Sequence, residues 1–391
     1  MPTEGKHMKG DRVIWMVVIL LSFLSLLAVY SSTGTLAYKY QEGNTFYYMM
    51  KHLIILALGF VLMYLAHKVK YTYFSRIFQI TLYVAILLLV ITLIFGKDIN
   101  EAKRALALPF GLTFQASDLA KLTLIIYLAR ILTKKQDALH DFKSLFLPVM
   151  VPIIVVCGLI LPGNLSTAVM LFVTSLVLLF IGRIRWVNLF RLVGIAAAAF
   201  LIFIGILMLL PEDRQGRLGT WDHRIESFFA GGDEEEDQVV QSKIAIVSGG
   251  IFGKMPGNST QRNFLSHPYS DFIFAIILEE YGLIGGAFVV LLYMILLFRA
   301  VRIVTKIPRT FGAFLTIGVT FSLVFQALIN MGVAVDLLPV TGQPLPLVSM
   351  GGTSIWFTSL SIGIILSVSK EVNKGVPDEE PEEIKKEYVT T

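Results

Sequence analysis

Asp271 is the residue that most invites a chemical reading of this 391-residue chain. It follows the polar, aromatic run NSTQRNFLSHPYS (258–270) and opens the apolar stretch FIFAIILEEYGLIGG. That position predicts a carboxylate at the first turn of a membrane span, where water meets lipid. A carboxylate there is half desolvated, so its proton affinity rises without the full cost of burying a charge. Such a group can act as a general base. It can equally cap the helix, since Asp is a preferred N-cap and complements the helix dipole. The two roles are compatible. Glu279 and Glu280 lie in the same apolar run, at a depth where ionisable groups are rare and usually functional. On a continuous helix Glu279 would lie about 12 Å below Asp271 and roughly 80° round, able to share its face. Glu280 would point elsewhere, towards a partner helix. The alternative for both is a buried polar network with Gln326 and Asn330 that fixes helix packing.

A cation complements this carboxylate. Gln115, Ala116, Ser117, Asp118 and Lys121 open another apolar segment. Ser117 is placed to cap it. Asp118 and Lys121 are three apart and share a helical face. A lysine one turn into an apolar segment needs a counter-charge, which Asp118 supplies. The pair reads as a cation held ready for a phosphate, or as a structural ion pair. Lys97, Lys103 and Arg104 fall in the segment 97–116, which reads as an outer loop. They either meet an anionic ligand or solvate the loop. Arg214, Arg217, Arg224, Lys254 and Arg262 make the segment 211–270 rich in anion binders. The stretch SGGIFGKMPGNS (248–259) carries Gly249, Gly250, Gly253, Asn258 and Ser259. Its glycines let backbone approach a ligand or the membrane surface closely. The stretch DLLPVTGQPLPLVSMGG (336–352) carries Ser349, Gly351 and Gly352, and its prolines forbid a regular helix. Irregular backbone at membrane level is tolerated where protein covers it or where it lines a wet cavity. All three segments are predicted to converge on one extracytoplasmic pocket beside Asp271. No zinc-ligand spacing, Walker loop, serine-hydrolase elbow or dinucleotide motif is present, and metal ligands are assigned to none.

The elements that must position these groups are transmembrane helices. The chain is 55% hydrophobic and 16% charged, against about a quarter charged for soluble domains. The expected fold is all-α and polytopic, with ten transmembrane helices near 13–31, 50–67, 74–96, 117–133, 145–161, 165–182, 187–210, 271–298, 310–335 and 352–369. Basic short loops fall on one side of this arrangement and place both termini in the cytoplasm. The first apolar run reads as a helix rather than a cleavable signal. Residues 1–12 form a cytoplasmic N-terminus, 13–369 the membrane domain, and 370–391 a disordered cytoplasmic tail. A large extracytoplasmic loop, 211–270, joins helices seven and eight. Within it GGDEEED (231–237) reads as a flexible solvated turn, and His223 and Arg224 as part of a short interfacial helix. Cys157 reads as small apolar filler. The net charge of +5 belongs to cytoplasmic loops and implies no nucleic acid partner.

These motifs resemble the SEDS family (shape, elongation, division and sporulation), which includes RodA, SpoVE and FtsW. The likeness covers nearly the whole chain. It is carried by FQASDLAK (114–121), QSKIAIVSGGIFGKMPGNSTQ (241–261), DFIFAIILEEYGLIG (271–285) and NMGVAVDLLPVTGQPLPLVSMGGTS (330–354). The GNS turn and the early YSS (30–32) are more like the division branch than the elongation branch. The resemblance implies a peptidoglycan glycosyltransferase that polymerises lipid II at the outer face of the inner membrane, at the septum. It puts the family's essential aspartate on Asp271 and its paired acid and lysine on Asp118 and Lys121. It implies a class B penicillin-binding transpeptidase and other divisome membrane proteins as partners. No cofactor is required by it, although a divalent cation could assist. The chain departs from the family pattern at Ala116, Asp118, Asn164, Gln343 and Met350. A transporter that flips lipid-linked precursor, or a scaffold that recruits the transpeptidase, are the alternative functions.

Overall fold

The computed structural model describes residues 10–99, 102–107, 113–135, 146–208 and 233–373. A helix stands in each of the ten predicted places. They are α1 (Arg12–Ser32), α3 (Thr45–Lys68), α4 (Tyr71–Phe95), α5 (Ala116–Lys134), α6 (Val151–Ile160), α7 (Leu165–Ile181), α8 (Trp186–Met208), α10 (Ile273–Val304), α11 (Thr310–Ala334) and α12 (Thr353–Asn373). Two further helices are α2 (Gly34–Tyr40) and α9 (Asp233–Gly249). Seven of these helices are long and apolar enough to cross a bilayer: α1, α3, α4, α8, α10, α11 and α12. The α6 and α7 helices are apolar but shorter, and α6 is extended at its start by a π-helical turn, Phe146–Met150. The protein is a multi-pass helical membrane protein.

The helices differ in how far protein surrounds them. In α12, 67% of the apolar window is buried, against 17% in α8, so α12 is central and α8 peripheral. The α5 helix is central too, with residues buried on all its faces, including Asp118, Lys121 and Arg130. A charge in such a helix can be kept only beside a partner. Arg130 accordingly donates to the Ser75 carbonyl and hydroxyl of α4, at 2.8 and 2.9 Å.

Several expectations need correction. The fold is not wholly α-helical. Lys97–Ile99, Ala102–Ala107 and Thr113–Phe114 form a small antiparallel sheet of order β1-β2-β3 before α5. The acidic patch is not a turn from Asp233 onward, because Asp233–Gly249 is helix. Ser117 does not cap α5: Gln115 takes the cap position, and its Nε2 donates to Ser117 Oγ at 3.1 Å. The α12 helix runs on to Asn373, four residues into the expected tail. The segment containing Arg214, Arg217, His223 and Arg224 lies outside the described residues.

The largest correction concerns α10. It does not begin at Asp271; its first residue is Ile273, Phe272 takes the cap position, and Asp271 lies in the preceding turn. Nor is it continuous. Gly282 has φ 68° and ψ −169°, which breaks the helix. A Cβ there would lie 2.2 Å from the Ile251 carbonyl oxygen, so glycine is required twice over. The segment after α9 is spliced into the break. Leu283 and Ile284 amides donate to the Gly250 and Ile251 carbonyls, and the Lys254 amide donates to the Glu279 carbonyl. The freed helix groups are thus paired again, as apolar surroundings demand.

Two ties between α10 and α1 fix the level of Glu280. Arg299 forms a forked ion pair with Asp11 at the N-terminal end of α1, at 2.7 and 2.5 Å. At the other end of α1, Ser31 donates to Glu280. Both helices rise roughly 30 Å between these ties. Glu280 therefore sits level with the C-terminal end of α1, not at the middle of its length.

Candidate active site

The backbone that carries Asp271 is tied down at three successive carbonyls. Tyr269 O accepts from the Met350 amide at 2.9 Å. Ser270 O accepts from Ser349 Oγ at 2.6 Å. Asp271 O accepts from Asn330 Nδ2 at 2.8 Å. The Asp271 side chain is half-buried, and its Oδ1 accepts from Ser270 Oγ at 2.8 Å. It makes no cap bond to α10. The carboxylate is thus held on a rigid turn at the mouth of the helix bundle and keeps acceptor capacity for an incoming hydroxyl. Burial and the Asp271 carboxylate beside it push the Tyr269 phenol above its ordinary pKa.

Two of those three ties come from the irregular segment 336–352. Its prolines and the positive φ values at Gly342, Leu347 and Gly352 exclude a helix. Its carbonyls are instead served by side chains of the surrounding helices. Asn330 Nδ2 donates to Gln343 O at 2.7 Å, and Gln326 Nε2 to Pro344 O at 2.8 Å. Tyr293 OH donates to Pro346 O at 2.5 Å, and Ser25 Oγ to Val348 O at 2.7 Å. In the other direction, Gln343 Nε2 donates to Thr167 Oγ1 in the first turn of α7, at 2.6 Å. The segment before α5 joins through Thr353, whose hydroxyl donates to Thr113 O and accepts from the Gln115 amide. The segments 97–116 and 336–352 therefore meet, as expected, with Gly351 and Gly352 at their junction. Arg104 lies on the small sheet, with its side chain outside the described residues.

Lys121 is buried and has two polar partners: Asp118 Oδ1 at 2.8 Å and Gln326 Oε1 at 3.1 Å. Asp118 Oδ2 has no partner among the described residues. Beside the pair is a cleft of about 30 Å³, lined by Ser322, Ser354, Thr358 and Ser361 as well as Asp118 and Lys121. Asp271 is not among its lining residues. The lysine and the aspartate are joined instead through α11. Gln326 and Asn330 lie one turn apart on one face, about 6 Å along the axis. Gln326 holds Lys121 and Pro344 O; Asn330 holds Asp271 O and Gln343 O. One helix face thus fixes both ionisable groups and the loop between them.

The glutamates form a separate cluster. Glu279, fully buried, accepts from Lys254 Nζ at 2.8 Å, Ser259 Oγ at 2.5 Å, Thr260 Oγ1 at 2.9 Å, Ser248 Oγ at 3.4 Å, and the Thr260 and Gln261 amides. The expected network with Gln326 and Asn330 is not formed; those amides serve the loop and Lys121. Glu280 faces α1, through Ser31. Arg262 donates to the Ser31 and Gly257 carbonyls, at 3.1 and 3.2 Å, and Asn258 Nδ2 to Lys254 O at 3.0 Å. Gly249 and Gly253 lie against the Leu278–Glu280 backbone, where a Cβ would come within 2.1 and 2.2 Å of a carbonyl oxygen. Lys254, Arg262 and the glycine-rich segment are therefore gathered on the glutamates. Among the described residues, no three His, Cys, Asp or Glu groups stand close enough to hold a metal ion.

The sequence reading passed over Ser25, His52, Ser270 and Tyr293. Ser270 could have been found as a neighbour of Asp271. The other three are polar groups in apolar runs, and that alone signals a buried partner.

A sequence model of the FtsW/RodA/SpoVE cell cycle proteins matches residues 11–374. The chain belongs to this family. Among curated relatives, it is 30% identical over 377 residues to stage V sporulation protein E of Bacillus subtilis (strain 168), covering 93% of this chain and 98% of that one. It is 33% identical over 369 residues to the probable peptidoglycan glycosyltransferase FtsW of Coxiella burnetii, covering 91% and 96%. Its fold is similar to that of Thermus thermophilus rod shape determining protein RodA, with TM-score 0.65, 24% identity and coverage of 93% and 97%. It is similar also to a chain of a peptidoglycan synthase complex solved to show coordinated polymerization and crosslinking, with TM-score 0.71, 24% identity and coverage of 93% and 98%. At this identity the two structures speak for the fold alone.

Proposed function

We propose that this protein is a peptidoglycan glycosyltransferase that polymerises lipid II during cell division. The observation that carries the reading is the shared scaffold of α11, with Asn330 on the backbone of Asp271 and Gln326 on Lys121. A half-buried carboxylate and a buried ammonium are held in fixed relation at the outer end of the bundle. The kinship with proteins named as probable peptidoglycan glycosyltransferases supports the same activity.

The substrate joins a disaccharide-pentapeptide to a polyprenyl diphosphate. Asp271 takes the proton of the acceptor sugar hydroxyl as that oxygen attacks the anomeric carbon of the growing glycan. A new glycosidic bond forms, and the bond from the anomeric carbon to the diphosphate oxygen breaks. The leaving diphosphate gains negative charge, which Lys121 offsets. Asp118 keeps the lysine aimed. Lys254 and Arg262 hold the glycine-rich segment on the glutamates, and Arg104 is a further candidate for the diphosphate. In this reading all ten helices cross the inner membrane, with both termini in the cytoplasm and Asp271 on the outer side. The partner is a class B penicillin-binding transpeptidase, at the septum.

Purified protein incubated with lipid II, with and without that transpeptidase, should yield gel-resolved glycan. An Asp271→Asn protein that folds and still makes full-length glycan overturns the role of the carboxylate. Movement of lipid II across vesicles with no polymer would favour the flippase instead.

A further inference from the structure

One hydrogen-bonded chain reaches the loop from α1 and α3. Ser25 of α1 donates its hydroxyl proton to Val348 O at 2.7 Å. His52 of α3 lies 2.6 Å from the same hydroxyl oxygen through Nε2. Both side chains are fully buried. A carbonyl can only accept, so the single serine proton is committed to Val348. His52 must then donate from Nε2, and its second ring nitrogen, Nδ1, plays no part in this contact. His52 Nδ1 indeed has no partner among the described residues. An unpaired polar nitrogen in an apolar interior is costly, and a leucine in its place would not carry that cost. The loop at this point is also strained. Leu347, next to Val348, is buried with φ 64°, a backbone conformation that a branched residue adopts only when its surroundings hold it. The following residue, Ser349, grips Ser270 O beside Asp271.

We propose that His52 and Ser25 are positioning residues for Asp271. They clamp Val348, keep Leu347 in its strained form, and so seat Ser349 against the turn that carries the carboxylate. This rests on the catalytic role proposed for Asp271. His52 does not touch substrate; it fixes the direction of the Ser25 hydroxyl, and Ser25 fixes the loop.

The test compares His52→Leu, His52→Gln and Ser25→Ala in full-length protein. The side-chain amide that His52→Gln introduces can donate from the place of Nε2. Lipid II polymerisation should fall about tenfold in kcat for His52→Leu and Ser25→Ala, with KM within about twofold, since misplacement of a reacting group acts on the chemical step. His52→Gln should recover most of the loss. The double variant should be no slower than the slower single one, because both act through one contact. A second measurement needs no activity: Asp271→Cys in a Cys157→Ala chain, labelled with a water-soluble maleimide. Its labelling rate should change several-fold when His52→Leu is added and return with His52→Gln. Folded variants with unchanged kcat and unchanged labelling overturn the clamp, as does a His52→Gln protein no better than His52→Leu. If the unaltered protein makes no glycan while labelling still responds to His52, the glycosyltransferase reading fails and the clamp stands.

Discussion

Glu279 and Asp118 are both buried carboxylates paired with a lysine at 2.8 Å, yet their surroundings differ. Glu279 has donors on both oxygens, among them two backbone amides and three hydroxyls. Nothing is left over for a ligand. Asp118 uses one oxygen, leaves the other without a partner among the described residues, and faces a hydroxyl-lined cleft. A saturated carboxylate works as a structural pin, because any movement costs several charge-assisted hydrogen bonds. A half-used one keeps an acceptor free for a hydrogen-bond donor. In the function proposed above, the contrast gives the glutamate cluster an architectural part and leaves the chemistry to Lys121 and Asp271.

The sharpest way to break that contrast is to test both regions for activity and stability together. Asp271→Asn should lower glycan synthesis by about 10²–10⁴-fold, as expected for a lost general base, with its unfolding temperature little changed. Lys121→Met should cost about 10²–10³-fold, the scale of losing one charge-stabilising donor in the transition state. Glycan yield over a time course reads both. Glu279→Gln should act on stability instead. It weakens hydrogen bonds to a charged acceptor and should cost about 1.5–3 kcal/mol, read by thermal unfolding in detergent. Should Glu279→Gln abolish synthesis in a protein of unchanged stability, the division between the two regions fails. The smallest effect is expected at Lys254→Met. Lys254 is 30% exposed but its partner Glu279 is fully buried, so the loss should show in thermal unfolding while synthesis stays within about threefold of normal.

Part of this was legible before any coordinates. The Asp118–Lys121 pair follows from a spacing of three residues, because the pair is local and a buried lysine needs its counter-charge. The irregular path of 336–352 follows from Pro339, Pro344 and Pro346. The break at Gly282 was not legible. A glycine in an apolar run is compatible with a straight helix, and the break shows only in the close packing of the Ile251 carbonyl against Gly282. The level of Glu280 was not legible either, because only Ser31, near the C-terminal end of α1, shows which part of the bundle it meets. Ser25, a polar residue in an apolar run, signals a buried partner, but that partner, Val348, is 323 positions away and the local pattern of α1 does not identify it.

By itself, the order of amino acids determined that this chain crosses membranes, roughly where its helices lie, and which ionisable groups stand where they can be used. These follow from transfer free energies and from spacing along a single helix, both of which are local properties. Tertiary structure decided which of those groups is saturated and which is open, where α10 breaks, and what holds the turn bearing Asp271. Those outcomes depend on backbone carbonyls meeting side chains from helices remote in sequence, and hydrogen-bond geometry of that kind exists only after the helices have packed.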